Sequence, residues 1–163
     1  MPASALEIIE RHAAQAGGLL PALHELQETF GYLPAALVDS IAQAFNISRA
    51  EVHGVISFYP DFRTDPAGTH VLRICRAEAC QSMGGEELAS HAVRSLGCGF
   101  HSTTPDGRFT LEPVYCLGLC AQSPAVTLDD RPYARVTPQR LEQLLKSAAS
   151  QHAGQLAETE GQS

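Results

Sequence analysis

At 163 residues, 44% hydrophobic and 18% charged, the chain has the balance of a globular protein of one domain, or of a domain with an extension. Its formal charge is −7 with no basic run, which argues against a nucleic-acid surface. No apolar stretch approaches the roughly 18 residues a membrane span needs, so direct membrane insertion is not expected. Residues 1–20 carry Glu7, Glu10 and Arg11 inside their only apolar pattern, so no secretory signal is read there. The expected setting is cytoplasmic, where paired cysteines bind metal more often than they form disulfides.

Residues 4–16 read as a helix with Leu6, Ile9 and Ala13 on one face, ended by Gly17-Gly18. Leu19, Leu23, Leu26 and Phe30 recur at helical spacing up to Gly31, and Pro21 suits a first turn. Pro34 opens a third helix with Leu37, Val38, Ile41 and Phe45 facing inward. Ser48-Arg49-Ala50-Glu51 is a capping-box pattern, starting a fourth helix that carries Val52 and Val55. These helices form a segment over residues 1–65, too small to bury much surface alone. It is expected to pack on its own neighbouring domain, on another subunit, or on both. Phe30, Phe58 and Tyr59 suit a core or an interface equally.

Residues 60–70, with Pro60, Pro66 and Gly68, read as a connector. Val71 to Ile74 then reads as a strand running into Cys75, Glu86 to Leu96 as a helix, and Arg108 to Val114 as a strand leading to Cys116. Ala125–Leu128 and Tyr133–Val136 read as a hairpin turning at Asp129 to Pro132. Thr137-Pro138 caps a last helix with Leu141, Leu144, Leu145 and Ala148 on one face. The expected α/β domain covers residues 66–148, and residues 149–163 read as a flexible tail.

The five cysteines all lie between positions 75 and 120, and four form two short pairs, Cys75-x4-Cys80 and Cys116-x3-Cys120. Four thiolates arranged two-and-two can close a metal site. Leu117 and Leu119 offer an apolar wrap, and Gly84, Gly85 and Gly118 offer backbone amides that can approach sulfur. That setting favours an iron–sulfur cluster, with zinc, disulfides and unligated thiols left open. Cys98, between Gly97 and Gly99, reads as an unligated thiol, and Glu78 as solvated. The seven histidines, His53 among them, show no pair at ligand spacing. No Rossmann fingerprint, phosphate loop or nucleophile–base pair is found, so the chain is not expected to be catalytic alone.

Cys-x4-Cys followed by Cys-Leu-Gly-x-Cys and Ser-Pro-Ala resembles the thioredoxin-like [2Fe–2S] proteins. The upstream segments from Leu20 to Pro34 and from Val52 to Tyr59 resemble the helical extension of the same family, which includes the 24 kDa-type subunit of NADH dehydrogenase. Arg76 to Gly84 looks most like the gamma subunit of NAD-dependent formate dehydrogenase. The resemblance implies an N-terminal helical extension followed by a thioredoxin-like [2Fe–2S] ferredoxin domain. It also implies that Cys75, Cys80, Cys116 and Cys120 ligate one [2Fe–2S] cluster, each short pair holding one iron. FMN is expected on a flavin- and NAD-binding partner, with a molybdenum-containing catalytic subunit beyond it. The equivalent subunits of NADH:quinone oxidoreductase or NAD-linked hydrogenase are the alternatives within the family. A non-redox, zinc-binding assembly module is the alternative outside it.

Overall fold

The computed structural model describes residues 3–160, and the side chains of residues 4–150. The chain divides into two compact units, the first ending at Ala67 and the second beginning at Gly68.

The first unit is all helical: α1 (Ala3–Ala13), α2 (Leu19–Phe30), α3 (Val38–Phe45), entered through a 3-10 turn at Ala35–Leu37, and α4 (Arg49–Phe58). Its core gathers Ile8, Ile9, Leu23, Leu26, Leu37, Ile41, Val52, Ile56 and Phe62. The inward stripe of α1 is Ala5, Ile8 and Ile9, while Leu6, expected inside, is 40% exposed. Ala5 and Ile9 stand four residues apart, so they share a face from which Leu6 is turned about 100° away. Gly31 and Asn46 close α2 and α3 in the left-handed conformation. The capping box at α4 forms as its pattern predicts: Glu51 N–H donates to Ser48 Oγ, and Ser48 N–H donates to the Glu51 carboxylate.

The start of the expected connector belongs to this unit. Gln27 donates to the Asp61 carbonyl at 2.7 Å and accepts from the Arg63 N–H at 2.8 Å, while Phe62 packs on the His24 ring. Burial of Phe62 explains why Pro60 and Pro66 bracket a pinned segment rather than a free linker.

The second unit is a five-stranded sheet in the order β2-β3-β1-β4-β5 with helices packed on it. Its strands are β1 (His70–Cys75), β2 (Ser102–Thr103), β3 (Phe109–Val114), β4 (Val126–Leu128) and β5 (Arg131–Tyr133). β1 runs parallel to β3, with Cys75 opposite Val114, and antiparallel to β4. Leu72, Ile74, Leu111 and Val126 form a core with Leu88 and Ala92 of α6 (Gly85–Leu96) and Leu141 and Leu145 of α7 (Pro138–Glu160).

Three details depart from the sequence pattern. The hairpin turn is two residues, Asp129 and Asp130, both at positive φ, so β5 begins at Arg131 and ends at Tyr133. That left-handed pair matches the twist of the flanking strands, as a four-residue turn need not. The two-residue β2 carries too little pattern to be read from sequence. The stretch after residue 149 continues α7 as helix to Glu160 rather than leaving the helix as a tail.

Candidate metal centre

Parallel pairing of β1 with β3 brings the C-terminal ends of both strands side by side, and each strand leads into a cysteine pair. Cys75 ends β1, and the Arg76 N–H donates to the Val114 carbonyl at 2.7 Å, locking the two exits together. The chain then turns into a short helix, α5 (Glu78–Ser82), which carries Cys80 back beside Cys75. After β3, Cys116 lies in a loop and Cys120 opens a 3-10 turn, Cys120–Gln122, that packs against α5. The Cys116 and Cys120 sulfurs are 3.9 Å apart.

The two pairs have different surroundings. Cys75 and Cys80 are each 2% exposed and pack with Ala125, Ala77, Val114, Leu117 and Leu119, so the apolar wrap read from the two leucines covers this pair. Cys116 and Cys120 are exposed, and Tyr115 and Met83 stand exposed nearby in sequence or space. Met83, Cys120, Pro124 and Arg135 line a cleft of about 510 Å³.

Backbone amides are aimed at sulfur. The Gly118 N–H donates to Cys116 at 3.3 Å, and the backbone N–H groups of Ala77 and Leu117 by Cys75 and of Ala125 by Cys80 favour the thiolate forms. Gly118 holds φ at +74°, a conformation glycine adopts without strain. Gly84, expected as such a donor, has its N–H committed to the Gln81 carbonyl. Gly85 serves by its lack of a side chain: a Cβ there would lie 2.5 Å from the Cys80 carbonyl oxygen.

Burial pushes the Cys75 thiol up, against the pull of its amide donors. Burial also opposes ionisation of Cys80, yet the Ser123 hydroxyl, the Cys75 thiol and the Ala125 N–H outweigh it and bring Cys80 down. In the outer pair, the Cys116 thiol pushes Cys120 up.

Cys98 stands apart, packed against the core between the sheet and its helices, with its thiol directed at the Ser102 carbonyl 3.8 Å away. Glu78 and His53 are exposed. Among the described residues, no three or more His, Cys, Asp or Glu side chains gather closely enough to hold a single ion. The thiols instead stand as two pairs, each with amide donors. Two irons bridged by sulfide take two thiolates each. The donor set thus fits a binuclear iron–sulfur group.

The model of the thioredoxin-like [2Fe–2S] ferredoxin family matches residues 5–149, covering both units. The chain belongs to that family. Among its relatives, one component of the NADH-quinone oxidoreductase of Pseudomonas aeruginosa is 35% identical over 128 residues, 78% of this chain and 77% of that protein. The NADP-reducing hydrogenase subunit HndA of Solidesulfovibrio fructosivorans is 32% identical over 140 residues, 86% of this chain and 82% of that protein. A crystal structure of an NAD+-reducing [NiFe]-hydrogenase superposes with a TM-score of 0.68 at 26% identity. It covers 82% of this chain, which in turn spans 23% of that hydrogenase chain. The fold is therefore that of helices followed by a thioredoxin-like [2Fe–2S] ferredoxin domain. No helix among the described residues is long and apolar enough to cross a membrane.

The fold sets Cys75 beside Cys80 and Cys116 beside Cys120, with Cys98 apart from both pairs. The sequence pattern missed Ser123, a buried hydroxyl within 3.5 Å of the Cys80 sulfur. Its one visible signal was the Ser-Pro-Ala run after the second pair.

Proposed function

We propose that the chain is an electron-transfer subunit in which Cys75, Cys80, Cys116 and Cys120 hold one [2Fe–2S] cluster. It exchanges single electrons with a flavin on an NAD-binding partner. The observation that carries this reading is the arrangement of two thiol pairs, one buried among apolar side chains and one exposed, with the Gly118 N–H donating to the Cys116 sulfur. Two ferric ions, two sulfides and four thiolates sum to about −2, and one further electron adds another negative charge. The backbone N–H groups of Ala77, Leu117 and Ala125 favour negative charge on the two buried sulfurs, and that of Gly118 favours it on the exposed Cys116. The exposed Cys116 and Cys120 give electrons a short path to a docked partner.

When bound, the cluster supplies one-electron chemistry, while hydride transfer with nicotinamide falls to the partner's flavin. The sequence of Arg76 to Gly84 favours NAD-dependent formate dehydrogenase, with a molybdenum-containing subunit as the oxidising partner. The names of the relatives favour the second reading, the equivalent subunit of an NADH:quinone oxidoreductase or of a hydrogenase. Co-purification separates the two, since a molybdenum subunit and a quinone-reducing arm are different partners.

The cluster itself is tested on the anaerobically purified chain, which should hold about two irons and two sulfides and give a spin-½ EPR signal on reduction. Serine at position 75, 80, 116 or 120 should lose the cluster or alter its spectrum, because an alkoxide is a poor ligand for a soft iron–sulfur core. Cys98→Ser should leave iron content and spectrum unchanged. Stoichiometric zinc without iron would instead establish a zinc-binding module.

A further inference from the structure

Ser123 lies between the two cysteine pairs. Its side chain is buried, with the residue 8% exposed, and its Oγ stands 3.5 Å from the Cys80 sulfur. The same hydroxyl donates to the Cys120 carbonyl at 2.9 Å. One serine therefore touches a sulfur of the inner pair and the backbone of the outer one. With cysteine as a thiol, the bond runs from Cys80 Sγ–H to the Ser123 oxygen. A cysteine that ligates iron does so as thiolate, having lost that proton to solvent, and a thiolate only accepts. The bond then has one way to persist: the Ser123 proton turns from the neutral Cys120 carbonyl toward the negatively charged sulfur, the stronger acceptor. Cys120 is exposed, so water can take over its carbonyl.

We infer that Ser123 is a positioning residue that sets the reduction potential of the centre through a hydroxyl hydrogen bond to the Cys80 sulfur. The inference rests on the cluster reading above. A donor to a ligand sulfur stabilises the reduced state more than the oxidised one, because reduction adds negative charge to the sulfurs. The other donors at this centre are backbone amides, which substitution leaves in place. Ser123 is thus a side-chain contact through which the potential can be changed without removing a ligand. Ser123 also lines the cleft of about 510 Å³ beside Met83 and Arg135, and threonine is the conservative probe that keeps its hydroxyl.

The test is a redox titration of the full-length chain, followed by its visible spectrum, for wild type, Ser123→Ala, Ser123→Cys and Ser123→Thr. Iron and sulfide are assayed in each. The alanine variant should keep two irons and two sulfides and shift to a more negative midpoint potential. The cysteine variant, of similar shape but a weaker donor, should shift the same way. Threonine, which restores the hydroxyl, should return the midpoint to the wild-type value. Where alanine loads poorly, the cysteine–threonine comparison decides. Equal potentials in all loaded variants, an equal shift in threonine, or loss of the cluster from all three variants would overturn the inference. Failure of wild type to hold iron would instead overturn the cluster reading itself.

Discussion

Gly85→Ala tests how tightly the first cysteine loop is packed. In an open helical position, glycine to alanine stabilises by about 0.5–1 kcal/mol, because alanine has less backbone freedom to lose on folding. Gly85 begins α6, but a Cβ there would meet the Cys80 carbonyl oxygen at 2.5 Å and its carbon at 2.8 Å. Both are backbone atoms of a proposed ligand, so neither can swing aside as a flexible side chain would. Overpacking of this kind costs about 1–3 kcal/mol, which exceeds the propensity gain and leaves the variant destabilised. The control is Gly54→Ala in α4, where a Cβ meets nothing within 4 Å and the full gain of about 0.5–1 kcal/mol should appear. Urea unfolding of the metal-free variants, with iron content and visible spectrum of the loaded ones, reads both effects. Moving Cys80 should also lower cluster occupancy in Gly85→Ala alone. A Gly85→Ala variant as stable as wild type, with an unchanged spectrum, would show that the loop yields freely and that its packing does not fix the ligand.

Two further outcomes are expected. The Asp106 carboxylate accepts bonds from the Thr104 hydroxyl and from the Arg108 N–H and guanidinium, which hold its pKa at about 2. A folded pKa below the unfolded one gives stability that is present above about pH 4 and lost as pH falls through 2. The gap in Tm between wild type and Asp106→Asn should therefore narrow across that range, and a gap independent of pH would refute the assignment. Deleting residues 1–65 should leave iron content intact while weakening capture of the flavoprotein partner, because each unit has its own buried core and all four proposed ligands lie in the second. Loss of the cluster with unfolding of the remainder would show that the helices are integral to the metal domain.

What the sequence determined by itself was whatever a few neighbouring residues can specify. Ser48 and Glu51 are three positions apart and satisfy each other's backbone, so the start of α4 follows from the chain alone. Val71 to Ile74 and the periodic leucines of α6 and α7 declare their elements by spacing. The cysteine pairs are legible for the same reason, since each is closed by a loop of three or four residues. Tertiary structure decided what depends on residues far apart. Whether a pair is dry or wet is set by pairing of β1 with β3 and by the return of Ala125 over Cys80, contacts spanning tens of residues. Of the glycines that looked like amide donors, Gly118 reaches the Cys116 sulfur while Gly84 spends its N–H on the Gln81 carbonyl, because the direction of an N–H depends on the path of the backbone and not on the side chain it carries. Ser123 acquired its place at the Cys80 sulfur through a contact across 43 positions, which no local pattern encodes.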